Sequence, residues 1–177
     1  HSAADISNAP QHADAIKSVA TSYGIITFYG PSGSAKSFLA IHMADCLGHG
    51  SAFFGFKTQI KKVVYINLEG SMKTRLAAIR ADKKRDVSDN VRFVTEPFHI
   101  IEDIEALAAD IPAGAVVFID TLNAAAPGLD ENSSRDMGLI LEAAKKLQQI
   151  TKGLVVIVHH SGKDASKGLR GHSSLYA

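Results

Sequence analysis

The sequence lacks the features that mark several classes of protein. It has a single cysteine, Cys46, which excludes an internal disulfide framework and is typical of a reducing cytoplasm. No apolar run approaches the roughly 18 residues of a membrane span, and no signal peptide is visible. The net charge is only +1, from 19 basic and 18 acidic side chains, so a surface that binds nucleic acid must be local. We expect a cytoplasmic protein with no membrane partner.

Repeats, low-complexity tracts and linkers are absent too, and what remains is an alternation of strand and helix patterns. Near-continuous runs of Val, Ile and Phe predict parallel strands covered on both faces, with amphipathic helices between them. The predicted strands are 24–30, 62–70, 91–95, 115–121 and 153–160, and the predicted helices are 36–47, 72–84, 102–110 and 134–150. This order indicates one α/β domain with a mostly parallel sheet and helices on both faces. A weakly amphipathic stretch from about Ile6 to Tyr23 predicts a helical lead-in over residues 1–22.

The stretch FYGPSGSAKSFLA, residues 28–40, is close to a phosphate-binding loop. The usual pattern is G-x-x-x-x-G-K-[ST], and Gly30, Lys36 and Ser37 match it. A preceding strand and a following helix supply the context that such a loop requires. We expect Lys36 to reach the β- and γ-phosphates and the Ser37 hydroxyl to bind Mg²⁺. The residues expected to bind the nucleotide are Gly30, Pro31, Ser32, Gly33, Ser34, Ala35, Lys36, Ser37 and Phe38.

Ala35 stands where this pattern has its second glycine. Alanine keeps its backbone N–H, and as the first residue entering a helix it is expected to adopt helical φ and ψ angles. Its methyl group could still crowd the phosphate, so we expect looser nucleotide binding rather than none. The plainer alternative is a Gly/Ser turn before an ordinary helix, with Lys36 a solvated side chain.

Polar side chains end three other predicted strands, at the edge where parallel sheets bind ligands. Asp120 is expected to anchor Mg²⁺ or its water, and Glu69 to polarise the water that attacks the γ-phosphate. His159 and His160 are neutral hydrogen-bonding groups that could sense that phosphate. Each residue also has a plainer alternative. Asp120 could cap a helix or turn, Glu69 could lie in a solvated turn, and one of the two histidines could pack in the core. Their combination in one sheet indicates an ATPase.

With these residues in place, the sequence resembles the RecA-type P-loop ATPases, and among them is most similar to the RepA-like hexameric replicative helicases of plasmids and phages. The resemblance runs from about Tyr23 to the C-terminus, through the phosphate loop and the stretches YINLEGS, FIDTLN and HHSGK. It implies a RecA-like ATPase domain over residues 23–177 that uses ATP and Mg²⁺. The catalytic residues that it implies are Lys36, Glu69, Asp120, one of His159 and His160, and Arg170 of the R-G-x-S-S segment, which would reach the γ-phosphate in a neighbouring subunit.

The resemblance also implies a homo-oligomeric ring, a hexamer, acting on single-stranded DNA. Residues 123–134 and 161–174 occupy the places of the two DNA-facing loops, and Lys163 and Lys167 in the second could neutralise phosphates without reading bases. The alternative is a solvated loop with no partner. The sequence ends at Ala177, before the last strands of such domains, so we expect a sheet truncated at its C-terminal side.

Two further functions remain open from the sequence. One is a RecA-fold ATPase switch whose hydrolysis controls partner binding without unwinding. The other is a degenerate nucleotide-binding scaffold, in which Ala35 has abolished turnover.

Overall fold

A computed structural model describes residues 2–4, 8, 12–130 and 133–160 of the chain. Within these ranges the strands are β1 (Asp14–Ile16), β2 (Ala20–Thr21), β3 (Gly24–Gly30), β4 (Val63–Asn67), β5 (Val91–Val94), β6 (Val116–Asp120) and β7 (Leu154–His160). The helices of eight or more residues are α1 (Lys36–His49), α2 (Met72–Lys83) and α5 (Ser134–Thr151), and the shorter ones are α3 (Ile104–Ala109) and α4 (Leu122–Ala125). None of the described helices is long and apolar enough to cross a membrane.

The main sheet has five strands in the order β3-β7-β6-β4-β5. Every neighbouring pair in it is parallel, and helices lie between the strands along the chain, so the predicted α/β architecture with a parallel sheet is confirmed. The near-continuous apolar runs are the cause, because a strand covered on both faces needs apolar residues at every position.

Successive residues of each central strand enter two separate hydrophobic clusters, one on each face of the sheet. In β4, Tyr65 faces the cluster that contains α1 and α2, whereas Ile66 faces the cluster that contains α3, α4 and α5. Both side chains are fully buried. This alternation follows from the period of two along a strand, and it fixes the carboxyl ends of the strands between two packed layers.

Those strand ends lie along one edge of the sheet. Gly30, the last residue of β3, is in register with His160, the last residue of β7. Asn67 at the end of β4 is likewise paired with Asp120 at the end of β6. The polar residues that follow the strands therefore lie side by side. Because β4 ends at Asn67, Glu69 belongs to the turn beyond the strand rather than to the predicted strand 62–70.

The helical lead-in predicted between Ile6 and Tyr23 is wrong where the structure describes it. β1 and β2 form an antiparallel hairpin, and the Asp14 carboxylate accepts a hydrogen bond from the Ser18 N–H at 3.1 Å in its turn. Ala15 and Ile16 are fully buried, and the backbone N–H of Gln59 donates to the Ala15 carbonyl at 2.9 Å. Pairing with a distant segment outweighs the weak helical periodicity of this stretch.

Candidate active site

The turn between β3 and α1 is a phosphate loop that enters the left-handed backbone region twice. Gly33 has a φ of 78°, which glycine adopts freely. Ala35 has φ 61° and ψ 18°, and α1 begins after it, at Lys36. The expectation that Ala35 adopts helical angles is therefore wrong. Left-handed angles cost a residue with a Cβ atom about 1–2 kcal/mol, which explains why glycine suits this position in the motif.

The Lys36 ammonium group lies inside the arc of this loop. Its Nζ donates to the carbonyl oxygens of Gly30 at 2.8 Å and Pro31 at 2.7 Å, and only 8% of the residue is exposed. Burial lowers the pKa of Lys36, while the carboxylates of Asp120 and Glu69 act to raise it. Lys36 is thus no solvated side chain, and its charge is held where the loop amides would meet a phosphate group.

Asp120 is fully buried at the end of β6, and three side chains bind its carboxylate. The Ser37 hydroxyl donates to Oδ1 at 3.0 Å. The Tyr65 hydroxyl donates to Oδ2 at 2.7 Å, and Arg75 Nη1 donates to the same oxygen at 3.1 Å. Burial, and then the charge of Asp120, raise the pKa of Tyr65 well above its ordinary value, so its phenol remains a donor. The carboxylate is held against the first turn of α1.

Glu69 faces the loop from the turn after β4. Its side chain is 45% exposed, and its Oε2 lies 3.4 Å from Nε2 of His160. The Asn67 side chain donates to the Gly70 carbonyl at 3.2 Å and so ties this turn to the end of β4. A carboxylate that is partly open to solvent and beside an imidazole can hold a water molecule by hydrogen bonds.

One cavity of about 300 Å³ is lined by residues 32–38 together with Glu69, Arg75 and His160. Asp120 is fully buried and contacts two of the lining side chains, Ser37 and Arg75. His159 does not line the cavity: this side chain is buried on the other face of β7, beside Leu122 and Met137. Adjacent residues of a strand point to opposite faces, so only one histidine of the pair can reach the cavity. Lys163, Lys167 and Arg170 lie outside the described residues.

A larger groove of about 920 Å³ runs between α2 and β5. Leu76, Val87 and Phe93 contribute apolar walls to it, and Lys73 and Arg80 contribute basic ones. It lies away from Lys36, Glu69 and Asp120, so the smaller cavity at the strand ends is the place where the reactive side chains converge.

Comparisons with known proteins agree with this geometry. Residues 2–166 match the family described as an AAA domain. The chain belongs to the AAA domain family. No curated protein sequence matches it significantly. The fold is similar to that in the crystal structure of the RadB recombinase, with a TM-score of 0.59 and 18% identity over 88% of this chain and 71% of that one. This AAA domain thus has the RecA-like core of the P-loop ATPases.

The donor atoms of this AAA domain fit a magnesium ion that arrives with a nucleotide. Mg²⁺ is usually held by one or two protein oxygens together with phosphate oxygens and water, and the Ser37 hydroxyl and Asp120 carboxylate lie next to each other. Within the described residues no group of three or more His, Cys, Asp or Glu side chains could hold a metal ion. Such a pair of oxygens is suited to sharing the ion with a bound phosphate.

Two residues of this AAA domain's site, Tyr65 and Arg75, could not be predicted from the sequence. Tyr65 sits inside the strand VVYIN and has the signature of a core aromatic residue, so nothing marks its hydroxyl as a partner of Asp120. Arg75 is one basic residue among several on α2. It lies six residues after Glu69. That spacing points to the site only once the structure shows that the turn at Gly70 places both side chains at the same cavity.

Proposed function

We propose that this chain binds ATP with Mg²⁺ at the cavity beside the phosphate loop and hydrolyses it. The observation that carries the proposal is that Lys36, Ser37 and Glu69 line one cavity, where the Ser37 hydroxyl lies 3.0 Å from the buried Asp120 carboxylate. A phosphoryl-transfer site needs these three elements: neutralising charge, metal ligands and a group that positions the nucleophile.

Each residue has a distinct part in this proposal. The Lys36 ammonium exchanges the loop carbonyls for oxygens of the β- and γ-phosphates, and the loop N–H groups bind the same oxygens. Mg²⁺ held by Ser37 and Asp120 would neutralise charge that develops on the phosphates. Glu69 orients a water and accepts its proton, while His160 hydrogen-bonds to Glu69 and keeps its carboxylate directed at the cavity.

The wider proposal is a ring-forming motor on single-stranded DNA, of the replicative-helicase type. It is supported by the resemblance of the loop, YINLEGS, FIDTLN and HHSGK to the RepA-like helicases. In this proposal Arg170 enters a neighbouring subunit's site, and Lys163 and Lys167 bind DNA phosphates. The RadB neighbour is titled a recombinase, but at 18% identity this likeness supports the fold alone.

The structure describes most of residues 123–134, one of the two segments proposed to face DNA. Of residues 123–134, the first three belong to α4, and Ala125 and Ala126 are buried. Ser133 caps α5 by accepting a hydrogen bond from the Asp136 N–H at 3.3 Å. In the proposed motor, the exposed residues Pro127, Gly128 and Asp130 between these two helices contribute DNA contacts.

An ATPase assay with and without single-stranded DNA tests the proposal. We expect the wild-type protein to hydrolyse ATP faster when DNA is present. Glu69→Gln should bind ATP normally but turn it over about 10²–10⁴-fold more slowly, because an amide cannot accept the proton of the water. Glu142→Gln, at an exposed position of α5, is the matched control and should hydrolyse ATP like the wild type.

The possible outcomes separate the alternatives. Slow turnover that DNA does not stimulate would favour a RecA-fold switch, and binding without turnover would favour a degenerate scaffold. Wild-type turnover in Glu69→Gln would place the base elsewhere, with Asp130 and Glu131 the next candidates.

A further inference from the structure

Arg75 stands between the predicted metal ligand and the cavity. It lies in the second turn of α2, a helix that begins with Ser71 as its N-cap. Its Nη1 donates to Oδ2 of Asp120 at 3.1 Å and also to the side-chain oxygen of Asn67. The side chain is 15% exposed, and the residue lines the cavity with Lys36 and Glu69.

The surrounding backbone leaves room for this guanidinium group. A Cβ atom at Gly70 would lie 2.9 Å from Arg75 Nη2 and 3.5 Å from its Cζ, so a larger residue there would displace the guanidinium group from its present position. Gly70 also has a φ of 70°, in the region that favours glycine. The glycine after Glu69 therefore suits both the backbone of the turn and the position of the arginine.

Neutralising Asp120 does not by itself account for an arginine here. The carboxylate already accepts hydrogen bonds from Ser37 and Tyr65, and both contacts of the guanidinium use a single nitrogen, Nη1. Arginine has five N–H donors in a planar fork that matches phosphate oxygens. Among the described residues, its Nη2 and Nε have no hydrogen-bond acceptor, and they are available for an anion in the cavity.

Arg75 binds Oδ2 of Asp120, whereas Ser37 binds Oδ1, and a guanidinium and a divalent cation on the two oxygens of one carboxylate repel each other. A nucleoside triphosphate brings its own acceptor into the cavity. We infer that Arg75 binds the terminal phosphate of a triphosphate in its own subunit, leaving Asp120 to the metal, and so distinguishes ATP from ADP. This inference rests on the proposed ATP site and assigns it a residue that acts in cis.

Equilibrium binding of a non-hydrolysable ATP analogue and of ADP, both with Mg²⁺, tests the inference. In Arg75→Gln, the affinity for the triphosphate analogue should fall roughly 10- to 100-fold, the contribution of charge-assisted hydrogen bonds, while the affinity for ADP stays within about 3-fold. Glutamine can still donate to Asp120. The matched control is Arg80→Gln on the same helix, whose guanidinium pairs with Asp86 at the surface, and it should leave both affinities unchanged.

Equal weakening of both nucleotides in Arg75→Gln would overturn the inference, because Arg75 would then only hold Asp120 in place. Failure of the wild type to bind either nucleotide would instead overturn the ATP site itself. A crystal structure of the wild-type protein with Mg²⁺ and the analogue provides a second measurement that needs no variant. We expect Arg75 within about 3.2 Å of a terminal phosphate oxygen, and an Arg75 that contacts Asp120 but no phosphate oxygen would contradict the inference.

Discussion

At the scale of single residues, Ala35 carries a backbone conformation that its side chain disfavours. Its φ of 61° turns the chain so that α1 starts at Lys36 and places the lysine side chain inside the loop. Relief of the left-handed strain is worth about 1–2 kcal/mol, and the extra freedom of an unfolded glycine offsets about 0.5–1 kcal/mol of that gain. The relief of strain is therefore the stronger of the two effects.

We therefore expect Ala35→Gly to raise the free energy of unfolding by about 0.5–1 kcal/mol and to bind nucleotide at least as well as the wild type. Urea denaturation and a nucleotide titration measure the two effects. Ala78→Gly, at an exposed position within α2, provides the control, since glycine in a helix interior should lower stability by about 1 kcal/mol. A loss of stability in Ala35→Gly would contradict the left-handed conformation.

Residue types at strand ends predicted part of this site. Lys36 and Ser37 follow from a motif, and Asp120 and Glu69 follow from carboxylates that interrupt or follow apolar runs. Arg75 and Tyr65 could not be predicted, because their roles depend on the turn at Gly70 and on the packing of β4 beside β6. The choice between His159 and His160 likewise required the face of β7 that each one occupies.

At the scale of elements, Gly153, which directly precedes β7, is the described glycine at which an added Cβ atom would come closest to another atom. A Cβ atom at Gly153 would lie 1.9 Å from the Ala115 carbonyl oxygen, and that backbone atom cannot rotate away as a side chain does. β7 lies between β3 and β6, so a shift here would move the ends of β3 and β6 that carry the phosphate loop and Asp120.

Gly153→Ala should lower the free energy of unfolding by about 3 kcal/mol or more, since the backbone must move to relieve the overlap. Gly138→Ala in α5 is the matched change, because a Cβ there meets nothing within 4 Å. It should raise stability by about 1 kcal/mol through helix propensity. Thermal denaturation of both variants checks the pair, and a neutral effect of Gly153→Ala would contradict the close approach of β6 and β7.

The elements of the sheet were predictable and the hairpin was not, for one physical reason. Buried parallel strands need apolar residues at every position, which gives a signal that is readable from a single sequence. The β1–β2 hairpin owes its conformation to pairing with residues 57–59, more than forty residues away from Ala15 along the chain. No local periodicity encodes such a pairing.

At the scale of the whole molecule, the proposed ring makes each active site depend on two subunits. We expect Arg170→Ala to leave ATP affinity nearly unchanged but to lower turnover by about 10³-fold or more, the usual contribution of an arginine supplied in trans. Lys36→Ala should be inactive for a different reason, because it cannot bind the phosphates.

Mixing the two inactive proteins should restore part of the ATPase activity. An Arg170→Ala subunit keeps Lys36 in its own site. If its neighbour is a Lys36→Ala subunit, that neighbour supplies an intact Arg170, and the site between them has both residues. Turnover is measured as the ratio of the two proteins is varied, with each protein alone as the control. Absence of recovery in stably mixed oligomers would mean that Arg170 acts in cis or contacts only DNA. That result would contradict the ring mechanism but not the proposed ATPase activity.

The central claim is that the cavity beside the phosphate loop binds ATP, and calorimetric titration of Mg²⁺–ATP into the wild type and Lys36→Ala tests it most directly. Lys145→Ala, an exposed lysine of α5, serves as the control for the loss of one positive charge. We predict saturable binding to the wild type and to Lys145→Ala, and an affinity lower by roughly 100-fold in Lys36→Ala, since the loop amides would lose the charge that neutralises the phosphates. Equal affinities in Lys36→Ala and the wild type would contradict the assignment of this loop as the nucleotide site.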